Sequence, residues 1–357
     1  MKILQLLPCL SYGDAIGNDV MALDKTIKEM GYETAIYADI ITDKMKDKGI
    51  SVDRMPKLKD DDIIFYHLAV ASKINKMLPK MNGRKIIIYH NITPGEFYKD
   101  YSKEYYYACD AGIKEAIELK DVADYCLADS EFNKNDLIKM GYTCKIDVLP
   151  ILIPFTDYEK KPSEKVINKY KDDGYTNFVF TGRVVPNKKQ EDVIAAFYAY
   201  QKQYNEKSRL FLVGNYAGMD KYLTRLKEYI DYLGVENVIF TGHIPFDEIL
   251  AYYHLADIFM CMSEHEGFCV PIVEAMCFNK PIIGYDYAAV GETMGEGGFL
   301  VKEKNPIEIA AIANRILTDS KLKEEILAKQ QSRLAHFSNE GVKKLFEEYI
   351  KSFIETK

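Results

Sequence analysis

The most informative segment of this 357-residue chain is Ser263-Glu264-His265-Glu266-Gly267-Phe268-Cys269-Val270-Pro271-Ile272-Val273-Glu274-Ala275. It follows an apolar run at 257–261, and its second half has the apolar spacing of a helix, so it predicts a strand-to-helix turn. Pro271 suits the first helical turn, because its missing N–H would have no partner there. The amides of Phe268, Cys269 and Val270 are then expected to point outward at the positive end of the helix dipole, where they can seat a pyrophosphate.

Two glutamates flank this turn. Glu266 and Glu274 are eight positions apart, so one carboxylate lies in the loop and the other in the first turn of the helix. Gly267 lets the backbone come close to a ligand, and a carboxylate so placed can accept two neighbouring sugar hydroxyls. Taken singly, Glu274 is more simply a helix-dipole residue and Glu266 a solvated loop residue. The whole segment together favours a ligand site.

Short apolar runs alternate with helix-period segments on both sides of this turn, as in βα units stacked into parallel sheets. Strands are predicted at 2–7, 33–38, 62–67, 85–90, 124–128 and 145–149, and after a polar, proline-containing linker at 151–169 they resume at 177–181, 209–213, 237–241, 257–261 and 281–284. Helices are predicted at 18–30, 131–140, 189–203, 219–233, 246–254 and 270–277. The fold class is therefore α/β, with two Rossmann-like, doubly wound halves.

The predicted domain boundaries follow from this pattern. Residues 1–158 form the first domain and residues 159–338 the second. Only helices are predicted beyond residue 305, and the last of them, at 339–355, is long enough to leave the second domain and pack on the first. The first domain therefore also includes residues 339–357.

The composition excludes several classes of protein. Hydrophobic residues make up 48% and charged residues 28%, which is ordinary for a folded globular protein. The net charge of -7 disfavours binding to nucleic acid. Seven scattered cysteines without a Cys-x-x-Cys pair fit a reduced cytoplasmic protein without a zinc site. The apolar start is too short for a signal peptide, and no run reaches the roughly 18 apolar residues of a membrane span.

A second segment with candidate ligand-binding residues is Phe180-Thr181-Gly182-Arg183-Val184-Val185-Pro186-Asn187-Lys188-Lys189, after the first strand of the second half. Gly182 clears space, and the cations Arg183 and Lys188 converge. A diphosphate leaving group gains charge as its bond to a sugar breaks, so preorganised cations stabilise the transition state and can replace a metal. The simpler alternative is an exposed Gly-Arg turn followed by a basic helix start.

In the first half, His90 ends a predicted strand, at the edge where open parallel sheets bind ligands. A lone histidine is more often structural, and His67, at the end of the preceding strand, is the weaker candidate of the two. The loop at 11–19 supplies Gly13 and Gly17 for close backbone approach to donor phosphates or to an acceptor.

The Glu-Gly-Phe-x-x-Pro-x-x-Glu-Ala string resembles the Glu-x7-Glu retaining glycosyltransferases of glycosyltransferase family 4, and the resemblance extends over nearly the whole chain. It implies the GT-B fold, with two Rossmann-like domains facing each other across a cleft, the first for the acceptor and the second for the donor. It further implies that Glu274 holds the ribose hydroxyls of the nucleotide and that Glu266 faces the transferred sugar. His90 matches a histidine that approaches the hydroxymethyl group of the donor sugar.

The second segment carries the same resemblance. Arg183 and Lys188 match the Gly-Arg-x-x-x-x-Lys pattern for the diphosphate, but Lys189 stands where the family usually has glycine. Asp14 and Ala15 occupy the places of two adjacent glycines in the first loop, where Gly13 and Gly17 would take over.

The resemblance implies retaining transfer of a hexosyl group from a GDP- or UDP-hexose to a hydroxyl of a glycan or lipid-linked acceptor, as in polysaccharide synthesis. No cofactor is expected, and no metal, because Asp60-Asp61-Asp62 fits a solvated turn better than a metal site. The alternatives are a nucleotide-sugar epimerase or phosphorylase on the same plan, or a non-catalytic nucleotide-sugar binder. Both sets of charged residues are present, which speaks against the last.

One basic segment leaves two interpretations open. Five cations without an intervening acid lie between residues 71 and 85, namely Lys73, Lys76, Lys80, Arg84 and Lys85. Apolar residues recur among them at helical spacing, so the segment is either a solvated surface helix or a basic face in peripheral contact with anionic lipid on the inner side of the cell membrane.

Overall fold

The computed structural model describes residues 1–11 and 13–356; Tyr12, part of the first predicted ligand loop, and Lys357 lie outside the described residues. The chain forms two compact units. The first contains Met1–Glu96, Glu104–Ile153 and Phe337–Lys357, and the second contains Phe97–Lys103 and Pro154–His336. Each unit contains one parallel sheet flanked by helices, which confirms the predicted pair of Rossmann-like α/β halves.

The sheet of the first unit is built from strands β1 (Lys2–Leu10), β2 (Glu33–Ile41), β3 (Ile50–Ser51), β4 (Ile63–Leu68), β5 (Arg84–Tyr89), β6 (Tyr125–Ala128) and β7 (Lys145–Val148). All neighbours are parallel, in the order β3-β2-β1-β4-β5-β6-β7. The strand order reverses between β1 and β4, and ligands of open α/β sheets bind at the carboxyl ends of the strands beside such a reversal.

The sheet of the second unit is built from strands β8 (Thr176–Thr181), β9 (Ser208–Val213), β10 (Val238–Gly242), β11 (Ile258–Cys261), β12 (Ile282–Tyr285) and β13 (Phe299–Val301). It is parallel throughout, in the order β10-β9-β8-β11-β12-β13. Its order reverses between β8 and β11, the two strands that precede the two charged loops predicted to bind ligand.

The helices, in chain order, are α1 (Ala15–Glu29), α2 (Lys73–Met77), α3 (Lys103–Glu118), α4 (Glu131–Lys139), α5 (Phe155–Tyr158), α6 (Glu164–Tyr170), α7 (Gln190–Gln203), α8 (Asp220–Leu233), α9 (Phe246–Leu255), α10 (Val270–Cys277), α11 (Ala289–Met294), α12 (Pro306–Thr318), α13 (Ser320–Leu334) and α14 (Asn339–Glu355). Short 3-10 turns lie at Asp43–Met45, Val52–Arg54, Leu78–Lys80, Gly95–Tyr98, Pro186–Lys188 and Ala335–Phe337. In the described part of the chain, no helix is both long and apolar enough to cross a membrane.

The last helix, α14, belongs to the first unit. Its apolar residues recur every three or four positions, so Val342, Phe346, Ile350 and Phe353 lie on one face and are buried against that unit's sheet. The ring of Phe346 lies 5.7 Å from that of Phe65 on β4, centroid to centroid. The chain therefore returns to its first unit after completing the second.

The predicted polar linker differs from the structure. Residues 151–169 contain α5 and most of α6 rather than an irregular tether, and the second unit begins inside this stretch, at Pro154. Tyr158, Val166 and Tyr170 are buried, and the last two join the core of the second unit. Seven charged residues are interspersed among the apolar ones here, which conceals the helical spacing of those that pack.

Candidate active site

The two charged loops of the second unit meet beside the reversal in its sheet. Lys188 lies in the loop after β8 and Glu266 in the loop after β11, and β8 and β11 are neighbours. The Lys188 Nζ donates to Glu266 Oε1 at 2.5 Å, although the residues are 78 positions apart. Only 17% of the lysine side chain and 9% of the glutamate side chain are exposed. The structure thus brings together two predicted site residues as a nearly buried ion pair.

The electrostatics of this pair favour the charged form of the lysine. Burial alone would lower the pKa of Lys188, but the negative charge of Glu266 and its hydrogen bond raise that pKa above its usual value. The amine therefore remains a cation at any physiological pH. A fixed, poorly solvated cation of this kind interacts strongly with an anionic ligand, because little water is present to screen it.

Asn187 joins the two loops next to this pair. Its Nδ2 donates to the carbonyl of His265 at 3.0 Å, and its own carbonyl accepts the Glu264 amide at 2.8 Å. The Tyr98 hydroxyl donates to Asn187 Oδ1 at 3.2 Å. These bonds use buried polar atoms on both loops, so they hold Lys188 and Glu266 at a fixed separation. Sequence analysis did not identify Asn187 or Tyr98, because neither belongs to a charged pattern.

The turn after β8 is made without the glycine that the resemblance would place at residue 189. Lys189 caps α7 in the left-handed region, with φ +52 and ψ +50, a conformation that costs other residues more than it costs glycine. Its amine pairs with Glu264 at 3.1 Å. At the start of the same loop the Gly182 carbonyl lies against Gly214, where a Cβ would be only 1.9 Å from it, so the close backbone approach here depends on Gly214.

Arg183 lies in the same loop and is exposed at the surface of the second unit. Its carbonyl accepts from the Gln190 side chain at 3.0 Å, which ties the loop to the start of α7. The amide of the next residue, Val184, donates to the Asn215 carbonyl at 2.9 Å. The loop is therefore anchored on both sides of an arginine side chain that reaches solvent.

Helix α10 begins at Val270, with Pro271 in its first turn as predicted. Cys269 caps it in the left-handed region, at φ +73. The Cys269 Sγ lies 3.8 Å from that of Cys261, and the Thr293 hydroxyl donates to the Phe268 carbonyl. The turn containing Gly267, Phe268, Cys269 and Val270 is thus fixed from inside the unit, while Glu274 projects from the helix that follows.

Both oxygens of the Glu274 carboxylate accept hydrogen bonds from tyrosines. Tyr158 donates to Oε1 at 3.0 Å and Tyr253 donates to Oε2 at 2.6 Å. Burial raises the pKa of Glu274, and the two hydroxyls oppose that rise. Neither tyrosine was identified from the sequence, since each lies on a different helix and no local spacing connects them to Glu274.

In the first unit, His90 belongs to a buried chain of polar side chains. The Gln5 Nε2 donates to the Val20 carbonyl at 3.0 Å, and Gln5 Oε1 lies 3.1 Å from His67 Nε2. His67 Nδ1 lies 2.8 Å from His90 Nε2, and His90 Nδ1 lies 2.9 Å from Asp129 Oδ2. Only 1% of the His90 side chain and 3% of that of Asp129 are exposed.

The directions of these bonds follow from the orientation of Gln5. Its oxygen faces His67, so His67 Nε2 carries the proton and a neutral His67 offers its Nδ1 lone pair to His90. His90 then donates from both ring nitrogens, to His67 and to Asp129. Burial lowers the pKa of His67, whereas Asp129 raises that of His90 despite its burial. With both ring nitrogens engaged, His90 has no free nitrogen for a ligand unless its bond to His67 breaks.

Among the residues that the structure describes, two groups of side chains have donor atoms within 4.8 Å of one another, close enough to share one ion. They are Asp19 with His67 and His90, and Cys261 with Glu266 and Cys269. In the first group the two ring nitrogens are hydrogen-bonded directly to each other, and in the second Glu266 already accepts from Lys188. Hydrogen bonds therefore already engage members of each group.

The predicted glycines of the first loop differ in their surroundings. Gly13 has φ +77 and open space around the position of a Cβ, so its backbone is accessible. A Cβ on Gly17 would lie 2.4 Å from the Ser11 carbonyl oxygen, and its amide donates to Asp14 Oδ1 at 2.5 Å. Packing of the loop on α1 therefore requires a glycine at position 17. No bound ligand is needed to account for it.

Two of the five cations of the basic segment pair with acids of the first unit. Lys73 lies 3.0 Å from Asp39 and 2.9 Å from Asp53, and Lys76 lies 3.7 Å from Glu115. Further along, the Arg84 guanidinium lies over the Phe353 ring, and the Lys85 amine donates to the Gly83 carbonyl. The predicted helix is short, ending at Met77 before a 3-10 turn.

Comparison with known proteins gives a family match in the second unit. Residues 162–333 match the family model described as glycosyl transferases group 1. An uncharacterized glycosyltransferase of Methanocaldococcus jannaschii is 28% identical over 57% of this chain and 51% of its own length. The O-antigen chain mannosyltransferase B of Escherichia coli is 24% identical over 75% of this chain and 70% of its own length. The chain thus spans about half the length of the first relative.

Among solved structures, Anabaena HepE in complex with UDP and glucose is similar to this chain with a TM-score of 0.75. The two are 20% identical, and the match covers 99% of this chain and 100% of HepE. At this level of identity the similarity shows the fold alone. The chain has the GT-B fold, and its second unit, which contains Lys188, Glu266 and Glu274, is similar to the glycosyl transferases of group 1.

Proposed function

We propose that the protein is a retaining glycosyltransferase that transfers a hexosyl group from a UDP- or GDP-hexose to a hydroxyl of a glycan or lipid-linked acceptor. The observation that carries the proposal is the Lys188–Glu266 ion pair, formed by two loops at the reversal of the second sheet. Glu274 follows on the adjoining helix, and all three residues lie inside the stretch that matches the glycosyl transferases group 1 model.

Each side chain then has a chemical role. Glu274 accepts the ribose hydroxyls, and the amides at the start of α10 receive the diphosphate at the positive end of the helix dipole. Lys188 and Arg183 stabilise the charge that develops on the leaving phosphate, and Glu266 orients the transferred sugar. In this proposal the ion pair with Glu266 holds the Lys188 amine in place before the donor binds. When the donor binds, the amine gives up part of that interaction and contacts the phosphate.

The reaction breaks the bond between the anomeric carbon and the phosphate oxygen and forms one from that carbon to the acceptor oxygen on the same face. The acceptor proton passes to the leaving phosphate, which departs as a nucleoside diphosphate. The positive charge required at the phosphate comes from Lys188 and Arg183, so activity is expected to persist in EDTA.

The comparisons support two donors. The Escherichia coli relative is named as a mannosyltransferase, and HepE was solved with UDP and glucose. We therefore propose thermal-shift measurements with UDP-, GDP-, dTDP- and ADP-hexoses on the wild type and on Glu274→Gln. A donor that binds only the folded state raises the melting temperature, and the expected result is a rise with UDP- or GDP-hexose that the variant largely loses.

Turnover distinguishes a transferase from the other enzymes on the same plan. Release of nucleoside diphosphate from the donor that binds should require a glycoside acceptor. An isomerised sugar still attached to its nucleotide, formed without acceptor, would instead indicate an epimerase. The proposal is wrong if none of the four donors raises the melting temperature of the wild type.

A further inference from the structure

Glu274 has a partly buried carboxylate whose two hydrogen-bond partners are neutral. In the described part of the chain it forms no ion pair, and each of its oxygens accepts from one phenol, that of Tyr158 or Tyr253. A buried anion without a nearby cation is costly unless hydrogen bonds compensate. Each carboxylate oxygen can accept two hydrogen bonds, so one acceptor position per oxygen remains for a ligand.

The two phenols are held in place independently of Glu274. The Tyr253 ring on α9 stacks on Phe278 at 5.1 Å between centroids, and the Tyr158 ring packs edge-on against the same Phe278 at 6.2 Å. Tyr158 also contacts Phe246 and is buried, although it lies in the stretch 151–169 that was predicted to be a linker. Burial raises the pKa of both tyrosines, so they remain protonated donors.

We infer that Tyr158 and Tyr253 are positioning residues for nucleotide binding, which keep Glu274 ionised and direct its two remaining acceptor positions to a pair of neighbouring ribose hydroxyls. This rests on the proposed function, since it assumes that Glu274 binds the ribose. A single phenol would fix one oxygen and leave the carboxylate free to rotate about its last bond, whereas two phenols fix both. The donor arrangement thereby selects a vicinal diol rather than a single hydroxyl.

The test uses tyrosine-to-phenylalanine changes, which keep the ring packing and remove only the hydroxyl. Dissociation constants for UDP and GDP are measured by calorimetry between pH 5.5 and 8.5 on the wild type, Tyr158→Phe, Tyr253→Phe and Glu274→Gln. Tyr252→Phe is the matched control, because Tyr252 is the neighbouring residue on α9 and packs against Tyr170 and Phe211 instead.

The expected result is an affinity loss of about tenfold in each of the two variants at neutral pH, because the carboxylate is then held less precisely; loss of a supporting hydrogen bond of this kind at metal sites costs about 10- to 100-fold. As the pH is lowered, each variant should begin to lose affinity at a higher pH than the wild type does. Burial raises the pKa of Glu274, and only one phenol then opposes that rise. Tyr252→Phe should follow the wild type. In the Glu274→Gln background, removing either hydroxyl should weaken binding by much less than tenfold.

Two outcomes would overturn the inference, and they differ in what they mean for the proposed ribose-binding role of Glu274. If Glu274→Gln weakens binding while Tyr158→Phe and Tyr253→Phe match the wild type at every pH, the positioning role is wrong and the proposed function stands. If Glu274→Gln itself binds as tightly as the wild type, the ribose role of Glu274 fails together with this inference. Should one phenylalanine variant not fold, the other provides the same comparison.

Discussion

Lys188 is the residue through which the proposed chemistry acts most directly. Changing it to Met removes the charge that stabilises the leaving phosphate. The lost stabilisation should be larger in the transition state than in the donor complex, because the phosphate gains negative charge as the bond breaks. We expect kcat to fall roughly 10²- to 10³-fold, as for the loss of one preorganised oxyanion donor, with a much smaller change in donor affinity. Steady-state kinetics with saturating acceptor, together with donor binding, measures both quantities.

Lys189→Met is the matched control for this change. It removes an equal charge from the adjacent position, keeps a non-glycine residue in the left-handed conformation and breaks only the pair with Glu264. We expect its kcat to stay within a few-fold of the wild type. Equal losses in the two variants would show that general positive charge, rather than the buried cation, matters for turnover.

Asp19 should make the stability of the first unit depend on pH. Burial raises its pKa to about 7, partly opposed by the charge of His90, whereas an unfolded aspartate titrates near pH ~3.9. The folded state therefore binds the proton more tightly, so the free energy of unfolding falls as pH rises from about 4 to about 7 and levels off above that. At about 1.4 kcal/mol per pKa unit, the loss is at most on the order of 4 kcal/mol.

Asp19→Asn removes this ionisation and can keep the hydrogen bond from the Leu152 amide. We expect the variant to gain stability relative to the wild type between pH 5 and pH 8, measured by urea unfolding at both values. Asp121→Asn, at an exposed aspartate, serves as the control and should show no such gain. A constant difference between Asp19→Asn and the wild type across this range would contradict the assigned pKa.

Sequence patterns identified the charged residues of the candidate site but not the residues that hold them. Lys188 and Glu266 each lie in a strand-to-helix loop, where charge next to glycine is visible locally. Tyr158 and Asn187 act through partners 116 and 78 residues away, and tyrosine and asparagine are common outside sites as well. Tertiary pairing at that distance leaves no local spacing to detect.

At the scale of elements, α14 should contribute substantially to the stability of the first unit. Phe346 is fully buried against the ring of Phe65, so Phe346→Ala removes a large apolar side chain and leaves a cavity. We expect the free energy of unfolding to fall by about 3–5 kcal/mol. Chemical denaturation followed by circular dichroism measures this change.

The control for α14 lies on its exposed face. Lys351 pairs only with Glu347, one turn earlier, so Lys351→Ala should change stability by no more than about 0.5 kcal/mol. A small effect of Phe346→Ala, comparable to that of Lys351→Ala, would mean that the helix can leave the sheet without loss.

Elements with a strong apolar pattern were predictable, and the weak ones were not. Every strand predicted from an apolar run is present to within three residues at either end, because buried parallel strands are apolar on both faces. The edge strands β3 and β13, of two and three residues, are too short to show any periodicity. Helix α5 was missed because it is only four residues long, and α6 because three of its seven residues are lysine or glutamate, which leaves few apolar positions to show a helical period.

At the scale of the whole molecule, the chain has a net charge of -7, and two cations of its basic segment, Lys73 and Lys76, pair with acids. These two lysines face three carboxylates, which reduces the charge that this surface offers to anionic lipid. We expect no flotation with phosphatidylserine vesicles at low salt. Binding by the wild type that disappears when both lysines are changed to Glu would contradict this expectation.

A variant with unpaired lysines tests whether the ion pairs are the reason that the wild type does not bind the vesicles. Replacing Asp39 and Asp53 with Asn and Glu115 with Gln frees both lysines, and each free cation near the surface contributes about 1 kcal/mol to lipid binding. The triple variant should therefore float more than the wild type at low salt and less as salt is added.

The second unit is discontinuous in sequence, because Phe97–Lys103 belongs to it although the flanking residues belong to the first. Within that unit Tyr98 bonds to Asn187, and the Tyr101 hydroxyl accepts from Arg225 while its ring packs on Tyr222. A chimera that joins the first half of one glycosyltransferase to the second half of another at residue 153 would import a foreign version of this insert. We expect such a chimera to fold only when residues 97–103 are exchanged together with the second half. The segment to exchange is therefore defined by its contacts and not by chain order.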